Sequence, residues 1–447
     1  MWKMTEALMG GTKAMRLSGK TYLPKHPNET EESYQVRLDR STLTNYYRAT
    51  VRHLTGKAFA KPLALGKDVP PKIAEWCEDV DLAGQHISVF ASSLLQHGLA
   101  YGKGYILVDY PRVAAGLTME EERRLKARPY FVFVPCQNVL GIRFSEDGTQ
   151  MLQARLLETR IVADGEWGER EAVFVRVLVP GGYFLYEQAR DKSADKAGWV
   201  LVDEGRMAID EIPLVQFFAN KPESRFSVTP PLEDLAYLNV AHWQSASDQR
   251  NVLTVARFPM LAASGWTSDD PEIAIGPKKL LATENPQGKF YYVEHSGAAI
   301  AAGRQDLEDL KVEMAAMGLQ MLMPQATGIA ATATENQIKY AESTSTLRMS
   351  ANNLCDAVEN ALMLMAKWGG IEDGGSVSLD GNFELSGATA EILATLNTMR
   401  QSGELSRKTY WAELKRRGIL SDEFDADAES DLLSVEPPGG GGFGGGE

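Results

Sequence analysis

The chain has 447 residues, 44% hydrophobic and 24% charged, and its 60 acidic against 46 basic side chains give a formal net charge of −14. That length exceeds what one hydrophobic core organises, so two to four domains of a soluble, globular class are expected. The charge excludes a protein that wraps nucleic acid tightly, because phosphate neutralisation needs clustered Lys and Arg. It is compatible with a wall past which DNA slides without sticking.

No apolar run approaches bilayer length, so no transmembrane helix is expected. The first residues, MWKMTEALMGGTKAM, lack the apolar stretch of a secretory signal. Cys77, Cys136 and Cys355 form no CxxC pair and read as buried thiols in a reducing compartment. The block up to about Ala127 reads as mainly helical. Asn28-Glu29-Thr30-Glu31-Glu32 opens an acidic first turn, and Tyr34, Leu38, Leu43, Tyr46, Tyr47, Val51 and Leu54 recur at helical spacing, with Gly56 as the stop. A second helix is expected over 85–99, and Gly102 and Gly104 then punctuate the entry into a strand, YILVDYP. Residues 129–220 hold seven short apolar or alternating runs, from YFVFVP to IPLVQFFAN, separated by Asp, Gly and Pro turns. They predict a small antiparallel β domain.

The segment 229–370 has a different texture. Thr229-Pro230-Pro231 fits a helix N-terminus, with a hydroxyl cap ahead of proline, and helical pattern runs to about Ala256. An insert over 257–302 carries KKLLA and KFYYVE as strand candidates among Pro and Gly turns. Helical pattern resumes near Gly303 and stops at Met323-Pro324. The loop QATGIAATAT follows, and Thr332 with Glu335 can form a capping box for a third helix. That helix, from about Glu335 to Trp368, would be roughly 50 Å long at 1.5 Å per residue. Leu347, Ala351, Leu354, Val358, Leu362 and Met365 draw a narrow apolar seam along its second half. By contrast, the first helix turns polar on all sides from Gln244 to Asn251, which requires neighbouring copies or bridging contacts to support it. Two more helices are expected over 388–401 and 406–417, and the tail from Pro437, rich in glycine, should be disordered. There is no internal repeat.

No catalytic constellation can be assembled. The chain has no GxxxxGK[ST] and no GxSxG, and Gly102-Lys103-Gly104 precedes a strand, the wrong context for a dinucleotide fingerprint. His26, His53, His86, His97, His242 and His295 show no metal-ligand spacing, so packing and surface roles are expected for them. Asp79 and Asp81 read as a turn before the helix at Gln85, and Asp269, Asp270 and Glu272 as a solvated loop. The expectation is a protein without enzymatic activity, metal or cofactor.

Several passages, taken in order, resemble the portal proteins of tailed bacteriophages, the head-to-tail connectors. YQVRLDRSTLTNYYRATVRHLTGKAF looks like that family's N-terminal wing helix, and DVDLAGQHISVFASSLLQHGLAYGKGYILVDYP like the helix and strand leading into its β-rich wing. TATENQIKYAESTSTLRMSANNLCDAVENALMLMAKW is similar to its tunnel-loop exit and its long helix between wing and crown. The resemblance implies an α+β fold assembled as a ring, usually of twelve copies, around an axial channel for double-stranded DNA at one capsid vertex. It implies a wing over 1–229, stem helices over 230–256 and 303–323, a clip over 257–302, and a tunnel loop over 324–334. The long helix and its return to the wing would take 335–386, the crown 387–436, and the disordered tail 437–447. The DNA-facing residues would be Gln325, Ala326, Thr327, Gly328, Ile329, Ala330, Ala331 and Thr332, an uncharged set that guides DNA by steric and backbone contact. Clip contacts would come from Trp266, Lys278, Lys279, Leu280, Phe290, Tyr291 and Tyr292. The implied partners are further copies of the chain, the terminase large subunit as motor, a head-completion or neck adaptor, and the major capsid and scaffolding proteins. The implied location is the virion, with assembly in the host cytoplasm and no membrane. Two alternatives from other classes are a nuclease-like DNA-processing enzyme with a helical arm and a monomeric protein-binding adaptor. Metal-dependent DNA cleavage would mark the first, and a monomeric mass the second.

Overall fold

The computed structural model describes residues 2–111, 120, 124, 127–189, 198–257, 260–264, 286–293, 297–319, 333–379, 390–416, 419–420 and 424–435. The chain divides into two compact units, Met1–Leu379 and Asp380–Glu447. Helix and sheet are mixed, as the α+β expectation requires.

The first unit begins with α1 (Trp2–Gly10), α2 (Thr12–Ser18), α3 (Glu31–Arg40) and α4 (Tyr46–Ala58). The single helical run expected from Asn28 is therefore two helices, and the second passes through Gly56. The break has a local cause. Ser41 N–H donates to the carbonyls of Arg37 and Leu38 and closes α3, while the Asn45 side chain accepts from Arg48 N–H at 2.9 Å and caps α4. Thr30 caps α3 by accepting from Ser33 N–H at 3.1 Å. After β1 (Ala64–Leu65) and α5 (Pro71–Cys77), α6 (Ile87–Tyr101) lies close to its expected bounds. His86 Nδ1 accepts from Ser88 N–H at its start. At its end Gly102, with φ 88°, takes the left-handed position that only glycine occupies without strain. Asp79 and Asp81 accept from the backbone N–H groups of Gly84, Ala83 and Gln85, so the turn reading holds.

The strands are β2 (Lys103–Asp109), β3 (Tyr130–Pro135), β4 (Val139–Phe144), β5 (Met151–Asp164), β6 (Gly168–Val179), β7 (Gly182–Gln188), β8 (Trp199–Arg206) and β9 (Leu214–Phe218). They form two antiparallel sheets. β4 to β8 make a five-stranded meander in chain order, whereas β3 and β9 flank β2, placing Ile106 between Phe133 and Val215. The physical reason is burial. β2 is buried along nearly its whole length, so it needs partners on both edges, and the two apolar runs at the ends of the β block supply them. Tyr105, Leu107, Val134, Leu156, Leu178 and Leu214 join both sheets in one core.

Next come α7 (Glu233–Ala256), β10 (Met260–Ser264), β11 (Lys289–Val293), α8 (Ala298–Met314) with a π turn at Ala315–Leu319, α9 (Ala333–Gly369) and β12 (Val377–Ser378). α7 starts later than expected, because the Thr229 hydroxyl bonds the Glu223 carboxylate instead of capping the helix. α8 begins at Ala298, earlier than Gly303, so it takes the end of the predicted insert. β11 pairs with β10, which was not anticipated as a strand; the other candidate, residues 278–282, lies outside the described residues. The seam of α9 is confirmed: Leu347, Ala351, Leu354, Val358, Leu362 and Met365 are all buried, against β2, β9 and the helices α4 to α6.

The second unit contains α10 (Ala390–Gln401), α11 (Arg407–Arg416) and α12 (Ala426–Val435), the last not anticipated. Trp411 packs edge-on against Phe424, with ring centroids 5.6 Å apart. The tail 437–447 lies outside the described residues. The three cysteines are free, and burial pushes the thiols of Cys77 and Cys136 up to about 12, so both stay protonated at neutral pH.

Candidate functional site

The region singled out by sequence, α7 through α9, rests on the helical N-terminus by two different means. In the first half of α7, Leu235, Ala236 and Trp243 are buried apolar contacts. Among them sits Asn239, fully buried, whose Oδ1 accepts from Tyr47 N–H and whose Nδ2 donates to the Thr44 carbonyl, both at 2.9 Å. One amide thus satisfies the Tyr47 N–H, a first-turn donor without an intrahelical acceptor, and adds a second bond to the Thr44 carbonyl, which also accepts from Tyr46 N–H at 3.1 Å. His242 stands edge-on to Tyr46 and is held below its ordinary pKa chiefly by burial, hence neutral.

The polar second half of α7 is supported from inside the chain. Gln244 Nε2 donates to the Tyr22 carbonyl at 3.0 Å, and Gln249 Nε2 donates to the Ile300 carbonyl at 2.9 Å. The buried Ser247 Oγ accepts from Ser41 Oγ at 2.7 Å. Asp248 Oδ1 lies 3.4 Å from Arg37 Nη1 and 3.2 Å from His26 Nε2. Arg37 is the centre of this clamp. Its guanidinium grips Glu29 with two bonds of 2.8 Å and donates to the Pro24 carbonyl, with both ionic side chains almost wholly buried. The bond from Arg37 holds the Glu29 carboxyl below the usual carboxylate range, and the same bond raises Arg37. Of the two supports the sequence left open, bridging contacts are the one observed.

α8 packs on α7 and shows much of its length to solvent. Asp306, Glu308, Asp309 and Glu313 are all exposed there, against the basic Arg304 and Lys311, so the outward face is acidic. Below it, the π turn comes close to α4 and α7. A Cβ added at Gly318 would meet Leu235 and Thr50 at 2.9 Å, so a larger residue would push the turn away.

β11 carries three of the predicted partner-contact residues. Phe290, Tyr291 and Tyr292 pair with Ala263, Ala262 and Leu261, and Tyr291 is half exposed. Alternation puts Tyr291 on the opposite face of the pair from Phe290. The remaining predicted residues lie outside the described residues: Trp266, Lys278, Lys279 and Leu280, and the loop residues Gln325, Ala326, Thr327, Gly328, Ile329, Ala330, Ala331 and Thr332. Among the described residues no group of three or more His, Cys, Asp or Glu could hold a metal ion, and no helix is long and apolar enough to cross a membrane. Sequence reasoning missed the clamp of Glu29, Arg37 and Asp248. Its only sequence trace is a polar stretch on α7, since Glu29 and Arg37 follow no helical pair spacing.

Residues 231–369, from the start of α7 to the end of α9, match a family described as a domain of unknown function (DUF4055). No curated protein matches the chain. Similar solved structures include the neck of an empty GTA particle with C6 symmetry, at 12% identity, 87% of this chain, 90% of that chain and a TM-score of 0.42. The virion of a native gene transfer agent (GTA) particle matches at 13% identity, covering 87% and 89% with a TM-score of 0.40. The neck of a native GTA particle with C12 symmetry matches at 14% identity, covering 88% and 89%, also with a TM-score of 0.40. Similarity at this level leaves the role of the chain to be argued from its own residues.

Proposed function

We propose that this chain is a portal subunit: a structural, non-catalytic component of a tailed-phage type of particle, assembled as a ring around an axial DNA channel at one capsid vertex. The observation that carries the reading is the succession of parts in the first unit. A helical and β-rich base leads into two packed helices, α7 and α8, joined through the antiparallel pair β10–β11, and then into the 37-residue helix α9. Long helices linked by a small hairpin offer walls and edges, not an enclosed cleft. The acidic outward face of α8 supports the same role, because a negative wall repels phosphate and prevents adhesion.

In this reading residues 230–256 and 303–323 are the stem, 257–302 the clip, 324–334 the tunnel loop and 387–436 the crown. A short two-stranded ribbon is marginal in water by itself. Strands from neighbouring copies would complete the clip, which would also dock a terminase motor during filling and neck proteins afterwards. The uncharged tunnel loop would let a dozen copies crowd the axis.

Electron microscopy of the purified protein tests this directly. The expected result is a ring with a central hole and a mass far above the 49.1 kDa of one chain. Particles lacking the chain at a vertex, or protein that hydrolyses ATP or cuts DNA once contaminants are excluded, would overturn it. Ala331→Trp should leave rings intact and impair packaging or retention of DNA. Ala331→Asp should do the same with a dependence on salt, since screening weakens repulsion.

A further inference from the structure

Where the C-terminal end of α3 meets the second half of α7, a groove of about 280 Å³ opens to solvent. Arg250, Asn251, Thr254 and Arg257 line one side; their spacing along α7 keeps them on one face of the helix. Arg40 and Ser41 line the other, and no Asp or Glu contributes to the wall. Arg37 also borders the groove, but its charge is taken up by Glu29 and Asp248. The other three arginines have no carboxylate within ion-pair distance among the described residues. In a chain with 60 acidic and 46 basic side chains, three such guanidiniums on one groove are a local inversion of charge.

Compensation of helix dipoles accounts for Arg40 and Arg257, which stand at helix C-termini. Arg250, more than a turn inside α7, meets the end of α3 instead: its Nη1 donates to the Arg40 carbonyl at 3.4 Å, which engages one of its five N–H groups and fixes it beside Arg40. Guanidinium forks match the oxygens of oxyanions. Their summed charge suits a phosphate better than a single carboxylate, and the groove has room for a phosphate group.

We infer that this groove is a phosphate-binding site, taking a phosphate of a nucleic-acid backbone or free phosphate. The inference does not depend on the portal reading.

The test uses the full chain, the double variant Arg250→Gln/Arg257→Gln, and Arg143→Gln on β4 as a control for general charge. The probes are inorganic phosphate, followed by calorimetry, and a short labelled DNA duplex, followed by anisotropy over a salt series. The native chain should bind at least one probe, and the double variant should weaken that binding at least about tenfold with the control unchanged. For the duplex, the slope of log affinity against log salt should fall by about two. Binding of the duplex alone assigns the nucleic-acid source, and binding of phosphate alone assigns the free ion. The proposal is overturned if the native chain binds neither probe, if Arg143→Gln loses as much as the double variant, or if the double variant changes only self-association. In the last case the groove receives a carboxylate of another copy. Should the double variant melt early, Arg40→Gln with the same probes decides.

Discussion

α7 and α9 bound the same stretch of chain and both lie against the helical base, yet they are held there by different physics. The second half of α9 lays an apolar seam, Leu347 to Met365, on the three-stranded sheet and its neighbouring helices. Each fully buried Leu or Val contributes about 1.5–3 kcal/mol by leaving water. Among the described residues, the second half of α7 has no such seam. Ser247, Asp248 and Gln244 reach polar groups from Tyr22 to Ser41, contacts that net only about 0.5–1.5 kcal/mol each because water offered the same groups equivalent bonds. The lesson is an asymmetry of failure. An apolar seam weakens in proportion to what is removed, whereas a buried ionic clamp adds little when intact and is costly to break on one side.

The largest expected effect follows from that asymmetry. Arg37→Ala strands Glu29 as an uncompensated buried carboxylate and should cost about 3–5 kcal/mol in chemical denaturation of the first unit. The paired change Glu29→Leu/Arg37→Met should recover most of the loss. If the pair proves as damaging as the single change, the clamp contributes more than its desolvation cost and the contrast with α9 disappears.

On the apolar side, Leu354→Ala should cost about 2–5 kcal/mol through lost transfer and a residual cavity. The loss should be insensitive to salt and to pH between 5 and 8, in round numbers. A salt-dependent loss would show that the seam also carries electrostatic support.

Acid should separate the two regions in sequence. His97 stacks on Tyr101, stands edge-on to Phe133, and accepts from Cys136 N–H. Burial pushes its pKa down to about 4. The unfolded chain protonates near 6.5 while the folded chain resists until about 4, so stability should fall as pH drops through that window, by up to about 3 kcal/mol. His97→Gln should flatten this part of the profile. The Glu29 contribution has the depressed-carboxylate sign: it is present above the unfolded pKa near 4.5 and lost as pH falls further. A stability profile flat between pH 6.5 and 4 would contradict the buried, neutral His97.

The smallest expected effect is at the hydroxyl bridge. Ser247→Ala removes one neutral bond and leaves the single Ser41 hydroxyl proton free to go to the Arg37 carbonyl, so about 1 kcal/mol should be lost in the same denaturation measurement. A loss as large as that of Arg37→Ala would mean that the bridge, not the ion pair, organises the clamp.

The sequence by itself determined what depends on neighbours along the chain. His86 and Gly102 delimit α6, the alternating runs become strands, and the spacing of Leu347, Ala351, Leu354, Val358, Leu362 and Met365 marks the buried side of α9. Caps, turns and periodicity act over a few residues, so their chemistry is written locally. Tertiary structure alone decided which strands pair. The runs at 130–135 and 214–218 look like members of the meander and instead flank β2, because a strand buried on both faces requires two edges to be closed. It also decided that Ser41 meets Ser247 and that Arg37 meets Glu29 and Asp248, and it gathered Arg40, Arg250 and Arg257 around one groove. Except for Arg37 and Glu29, eight positions apart, those encounters span some two hundred positions of chain. No local propensity encodes them; they exist because burying the apolar first half of α7 against α4 carries its polar second half onto α3.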